Sequence, residues 1–187
     1  MGRIGKVFVG AVLLGAAAVL VAAAVVRYRA GAAAAPPLHR LAADVWVTAQ
    51  VTPAQLPAIR ARGFAGLVDL RPDGEVVGQP SSAAIGGEAD AVGMQFRYAP
   101  VPHGEIPAKV VEELGRALAG SPRPVLLYCH SGRRAARTWA LAEASRAGGL
   151  GAAAIEAAVR GAGQSADDLD AEIVRRIAAR PAVGRGA

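Results

Sequence analysis

The stretch Val125-Leu126-Leu127-Tyr128-Cys129-His130-Ser131-Gly132-Arg133-Arg134-Ala135-Ala136-Arg137-Thr138-Trp139 decides the fold. Its short apolar opening suits a strand covered on both faces, and its close suits the start of a helix. Between them lies an anion cradle. Gly132 permits a close approach or a positive φ, successive backbone N–H groups turn inward, and the helix N-terminus adds its partial positive charge. Arg134, in the first helical turn, is a poor place for a cation unless it serves an anion, which its guanidinium grips with two parallel N–H groups. A cysteine held at the centre of such a field is favoured as the thiolate nucleophile. Cys129, as nucleophile, and Arg134 are therefore the leading catalytic candidates, with His130, Ser131, Gly132 and Arg133 forming the wall of the cradle.

Working outward, strands and helices alternate. Val45-Trp46-Val47 is a strand, and Thr52-Pro53 opens a helix to about residue 62 through an N-cap threonine and a first-turn proline. Residues 66–70 form a strand stopped by the turn Pro72-Asp73-Gly74. Ser81 or Ser82 caps a helix to about residue 91, residues 94–98 alternate as a strand, and Pro107 opens a helix to about residue 119. Helices over roughly 134–146, 152–161 and 166–179 complete the chain. The pattern predicts an α/β fold, a largely parallel sheet flanked by helices, with its site beyond the carboxyl ends of the strands. That places Arg71 at the site mouth, while Asp73 is explained by its turn. Trp46 and Trp139 are expected in the core, and Arg137 on the surface.

The N-terminal region differs in kind. Residues 7–26 are an uncharged run of 20 apolar or small residues, which as a helix spans ~30 Å, the thickness of a bilayer core. We expect residues 1–29 to be a single-pass membrane anchor, 30–42 an Ala/Pro linker, 43–180 the catalytic domain and 181–187 a tail. Basic residues flank the run on both sides, so orientation stays open. Arg3, Lys6, Arg27, Arg29 and Arg40, without any acid, account for +5 of the net charge of +6. The body is nearly neutral, which argues against nucleic acid as a partner. The one cysteine excludes an intrachain disulfide and a thiolate-rich zinc site. No glycine-rich nucleotide loop or metal-ligand constellation stands out, so neither cofactor nor metal is expected.

Three motifs in order, Leu70-Arg71-Pro72-Asp73-Gly74-Glu75, Gly78-Gln79-Pro80-Ser81-Ser82 and Cys129-x-x-Gly132-x-Arg134 followed by Trp139-Ala140-Leu141, resemble the phosphatase-like domain of beta-lactamase-hydrolase-like proteins. The resemblance runs from about residue 43 to 177 and implies a fold like that of the dual-specificity and tyrosine phosphatases. It implies Cys129 as nucleophile, Arg134 as oxyanion-binding arginine, and a phosphorylated protein or small phosphate ester as substrate. The chain departs from dual-specificity phosphatases in two places. Four residues, not five, separate Cys129 from Arg134, which is similar to the rhodanese loop and opens a sulfurtransferase alternative with a Cys129 persulfide. The segment Pro100-Val101-Pro102-His103-Gly104-Glu105 is similar to the acid loop but places His103 where an aspartate is expected, leaving His103 or Glu105 as the general acid. A non-catalytic module that binds phosphorylated partners is the third alternative.

Overall fold

The computed structural model describes residues 33–181. Eleven regular elements occur among these residues, ten of them where the sequence pattern predicts them. In chain order they are β1 (His39–Ala42), β2 (Val45–Thr48), α1 (Leu56–Ala61, entered through a 3-10 turn at Pro53–Gln55), β3 (Gly66–Asp69), α2 (Ser82–Ala91) and β4 (Gln95–Tyr98). They continue with α3 (Ala108–Gly120), β5 (Val125–Tyr128), α4 (Arg133–Ser145), α5 (Ala152–Gly161) and α6 (Asp170–Ala178), the last entered through a 3-10 turn at Asp167–Leu169.

The five strands form one mixed sheet in the order β1-β2-β5-β3-β4. β2, β5, β3 and β4 are mutually parallel. β1 is antiparallel to β2 and makes the edge, so the sheet is parallel in all but this strand. Residues 39–42, expected as the end of a linker, are thus part of the domain. The two-residue turn at Ala43-Asp44 is short enough to reverse the chain directly into β2. His39-Arg40-Leu41-Ala42 escapes sequence reading because it carries no β-branched or aromatic residue; Leu41 alone is well buried.

Alternation along β5 divides the core in two. Val125 and Leu127 face the layer of α3, α4, α5 and α6, with Leu114, Trp139, Ile155 and Ile173 around them. Leu126 and Tyr128 face α1 and α2, with Leu56, Ile59, Leu67 and Ile85. Both faces are covered, which is why all four residues of β3 and of β5 are buried and β5 reads as an unbroken apolar run. α4 is buried on most of its circumference, and its alanines let α3, α5 and α6 approach closely. Trp139 lies in the core as expected, and half-buried Trp46 meets Phe64 edge to face at 5.9 Å. Arg137, expected as a surface charge, instead forms a two-pronged ion pair with Asp168 that ties α4 to the turn before α6. Arg180 closes the domain by donating to the carbonyls of Glu143, Ala144, Gly149 and Leu150 at 2.6–2.9 Å.

The register of the parallel strands aligns the loops that carry the site. Thr48, Tyr128, Asp69 and Tyr98, each the last residue of its strand, are direct neighbours across the sheet. The loops that follow β2, β5, β3 and β4 therefore leave the sheet from a single row, at the same edge. The apolar run at residues 7–26 lies outside the described residues, and among those described no helix is long and apolar enough to cross a membrane.

Candidate active site

Cys129 is the first residue after β5 and is 1% exposed. The chain then turns through His130 and Ser131 to Gly132, whose φ of +89° begins α4 from a left-handed conformation. A side chain on Gly132 would also bring a Cβ within 3.4 Å of the Thr48 carbonyl oxygen. The loop is pinned from outside by its carbonyls. His130 accepts from the Gln50 backbone at 3.1 Å, and Ser131 accepts from the Gln164 amide at 3.3 Å. The backbone N–H groups of His130, Ser131 and Gly132 donate to no protein group among the described residues. With the N-terminus of α4 they supply the donors that an anion cradle requires.

Arg134 stands one residue into α4 and reaches sideways across the mouth of the loop. Its Nη1 and Nη2 donate to Oε1 and Oε2 of Glu75 at 2.5 and 2.8 Å, and Nη1 also donates to the Val101 carbonyl at 2.8 Å. This is the end-on face of the guanidinium. The side-on edge, made by Nε–H and the remaining Nη2–H, hydrogen-bonds to no oxygen among the described residues. Hydrogen bonding to Glu75 above all, with a smaller contribution from Cys129, holds the guanidinium in its charged form.

Glu75 is the hub of this region, and its side chain is 10% exposed. Besides Arg134 it accepts from Arg71 Nε at 2.9 Å, and His103 Nε2 lies 3.0 Å from its Oε1. Hydrogen bonding to Arg134, reinforced by Arg71, pushes its carboxyl down to about 2. Arg71 is buried at the carboxyl end of β3, and its Nη1 donates to Gln50 Oε1 at 2.9 Å. Below this layer, Asp69 accepts from the Arg71 backbone N–H at 2.8 Å; burial raises its carboxyl to about 6. Asp73 has the structural role assigned to it. Its carboxylate accepts from the Ser82 backbone and hydroxyl at 2.7 and 2.6 Å, tying the turn to the start of α2, while Ser81 is the N-cap.

The structure thus gathers Cys129, Gly132, Arg134, Arg71 and His103 at one edge of the sheet. His103 contributes from an exposed loop, its side chain 79% accessible. Glu105, on the same loop, is exposed and has no ionic or hydrogen-bonding partner among the described residues. His130 and Ser131 are exposed and tie the loop down through their carbonyls. Arg133 is exposed, its side chain hydrogen-bonds to nothing described, and its charge reaches Asp168. Two residues escape sequence reasoning. Glu75 belongs to a family-like motif, and an acid four residues after an arginine at a strand end was the available signal. Gln50, in a short loop after β2, gave none.

The family model for the phosphatase-like domain of the beta-lactamase hydrolase-like protein matches residues 37–147. A beta-lactamase hydrolase-like protein of Agrobacterium fabrum is 33% identical over 91 residues, covering 49% of this chain and 21% of that protein. Its counterpart in Xylella fastidiosa is 35% identical over 82 residues, 44% of this chain and 19% of that protein. The matched region spans about a fifth of these curated relatives. Among solved structures, a candidate phosphatase of Neisseria meningitidis superposes with a TM-score of 0.65 at 24% identity, over 74% of this chain and 96% of that one. The core catalytic domain of the yeast PP-IP phosphatase Siw14 gives 0.56 at 14% identity, over 76% and 87%. At these identities the likeness establishes the fold, which is that of the cysteine phosphatases.

Proposed function

The chain belongs to the phosphatase-like domain family of the beta-lactamase hydrolase-like proteins, and we propose that it is a cysteine-dependent hydrolase of phosphate esters. The observation that carries this is the pairing of the Cys129 loop, with its unspent N–H groups, and the free side-on edge of Arg134. Together they match the oxygens of a tetrahedral anion placed over the sulfur. The Cys129 thiolate attacks phosphorus as the bond to the leaving oxygen breaks, and His103 delivers a proton to that oxygen. Water then attacks the thiophosphoryl enzyme with His103 as base, releasing inorganic phosphate and restoring the thiolate. His103 suits this role because its Nε2 is oriented by Glu75 while the ring remains open to solvent. Substrates are phosphorylated proteins or small phosphate esters. Residues 7–26 would hold the domain at a membrane surface, which fractionation of the full chain tests; release of the intact chain into the soluble fraction removes the anchor.

The test is phosphate release from 4-nitrophenyl phosphate by the full chain in detergent between pH 5 and 8, wild type against Cys129→Ser. Turnover that disappears in the variant supports the hydrolase; a folded but silent wild type rejects it. The four-residue spacing from Cys129 to Arg134 favours one competing outcome. Incubation with thiosulfate would then add one sulfur to the intact mass, and Cys129→Ser would lose it. Phosphate binding that survives Cys129→Ser, with neither activity present, would identify a binding module.

A further inference from the structure

The chemistry proposed for Cys129, Arg134 and His103 gives Glu75 no part beyond orienting His103, yet Glu75 is the most heavily engaged side chain at the site. One carboxylate, nearly buried, is met by Arg134 at both Nη atoms, by Arg71 Nε and by His103 Nε2, all within 3.0 Å. Arg71 is held in turn by Gln50 at 2.9 Å. These contacts form a continuous chain, Gln50–Arg71–Glu75–Arg134, across the loops after β2, β3 and β5.

A planar guanidinium offers an oxyanion two bidentate faces, end-on through Nη1 and Nη2 or side-on through Nε and Nη2. Glu75 takes the end-on face, and the Val101 carbonyl takes the other hydrogen of Nη1. That leaves only the side-on edge. Arg134 interacts with Cys129 as well as with Glu75, so the guanidinium is in reach of the sulfur while its far end is clamped. We propose that Glu75 is a positioning residue: it fixes the plane of Arg134 so that the Nε–Nη2 edge faces the anion over Cys129. It also prevents the guanidinium from swinging end-on. This rests on the cysteine-dependent anion site proposed above. Arg71 and Gln50 act one step further out, holding the carboxylate itself.

The test is a double-mutant cycle on the full chain, combining Glu75→Gln with Arg134→Ala, with Arg134→Lys as a second background if the alanine variant fails to fold. Glutamine keeps the size of the side chain but accepts through one oxygen only. Two observables are read: kcat for 4-nitrophenyl phosphate, and the inorganic phosphate concentration that half-protects Cys129, the chain's one cysteine, from iodoacetamide. A positioning residue gives a large effect in the wild-type background, roughly 100-fold in kcat, and almost none once Arg134 is replaced. An effect of Glu75→Gln that is equal in both backgrounds, or absent in the first, overturns the proposal. A direct electrostatic influence of Glu75 on the anion would persist without Arg134, so the cycle separates the two. If the wild type releases no phosphate but phosphate still protects Cys129, the hydrolase falls and Glu75 is judged by protection alone. A wild type that is neither active nor protected overturns both.

Discussion

The loops after β3 and β4 leave adjacent positions of one sheet row, Asp69 and Tyr98, yet they are built in opposite ways. The first is stitched in place: Arg71 is buried, Glu75 is nearly so, and Asp73 ties the turn to α2. The second, around His103 and Glu105, is exposed, and among its charged or titratable side chains only His103 touches the first loop. The division matches two demands that a site makes of its walls. A group that holds charge in place gains from burial and fixed partners, whereas a group that exchanges protons with substrate and water needs access to both. Two glutamates thirty residues apart therefore differ in kind, and their sequence neighbourhoods do not say which is which.

The contrast breaks first, and most visibly, if the stitched loop is opened. Arg71→Ala leaves a nearly buried carboxylate with fewer partners, and we expect a loss of about 3 kcal/mol in stability. A near-complete loss of phosphate release should follow. Urea denaturation of wild type and variant checks the first and the 4-nitrophenyl phosphate assay the second; an unchanged midpoint would mean that the stitching is idle.

On the exposed loop the effect should depend on the leaving group. His103→Ala is expected to lower kcat about 100-fold for an alkyl phosphate, whose leaving oxygen needs a proton. It should change turnover of 4-nitrophenyl phosphate only a few-fold, because that leaving group departs as an anion. Equal losses on both substrates would remove His103 from the role of acid.

Acid and neutral conditions sharpen the comparison within the stitched loop itself. Glu75 is depressed from 4.5 to about 2. Its stabilisation is complete above its unfolded value and fades as pH falls through about 2. Asp69 is raised from 3.8 to about 6, so its contribution is complete below 3.8 and is lost as pH rises through about 6. Melting temperatures from pH 2 to 7 should show Glu75→Gln flattening the acid limb and Asp69→Asn flattening the decline toward neutrality. Curves parallel to wild type would contradict both assignments. The smallest effect belongs to Glu105→Gln. With no partner to lose among the described residues, it should keep melting temperature within about 1 °C and kcat within about twofold; a larger fall in kcat would move the acid from His103 to Glu105.

Much of this was legible in the sequence, and the gaps have physical causes. The strand–loop–helix at Cys129 announced itself because each residue type there is expensive elsewhere: a glycine at positive φ, a cation at a helix N-terminus, an unbroken apolar strand. The helices were equally plain from Thr52, Ser81 and Pro107 at their starts. β1 was not, because an edge strand buries one face and needs only Leu41 to do so. Glu75 and Gln50 were missed as site residues for a different reason. Their partners, Arg134 and Arg71, lie 59 and 21 residues away, and only the sheet order brings them together. His103 stands where the family resemblance leads one to expect an aspartate, and the carboxylate that contacts Arg134 arrives instead from the neighbouring loop.

The shared row of strand ends has a consequence for how errors in folding would show themselves. Slipping one strand by a single residue shifts its loop by ~3.3 Å and turns every side chain in it to the opposite face. For β3 that would carry Glu75 away from Arg134; for β5 it would carry Cys129 away from both. Each strand is only four residues long, so a slip forfeits a large share of its pairing as well. If the chain hydrolyses phosphate esters as proposed, turnover doubles as a proofreading signal for the sheet. A molecule that hydrolyses its substrate has already reported that four separate segments found their register.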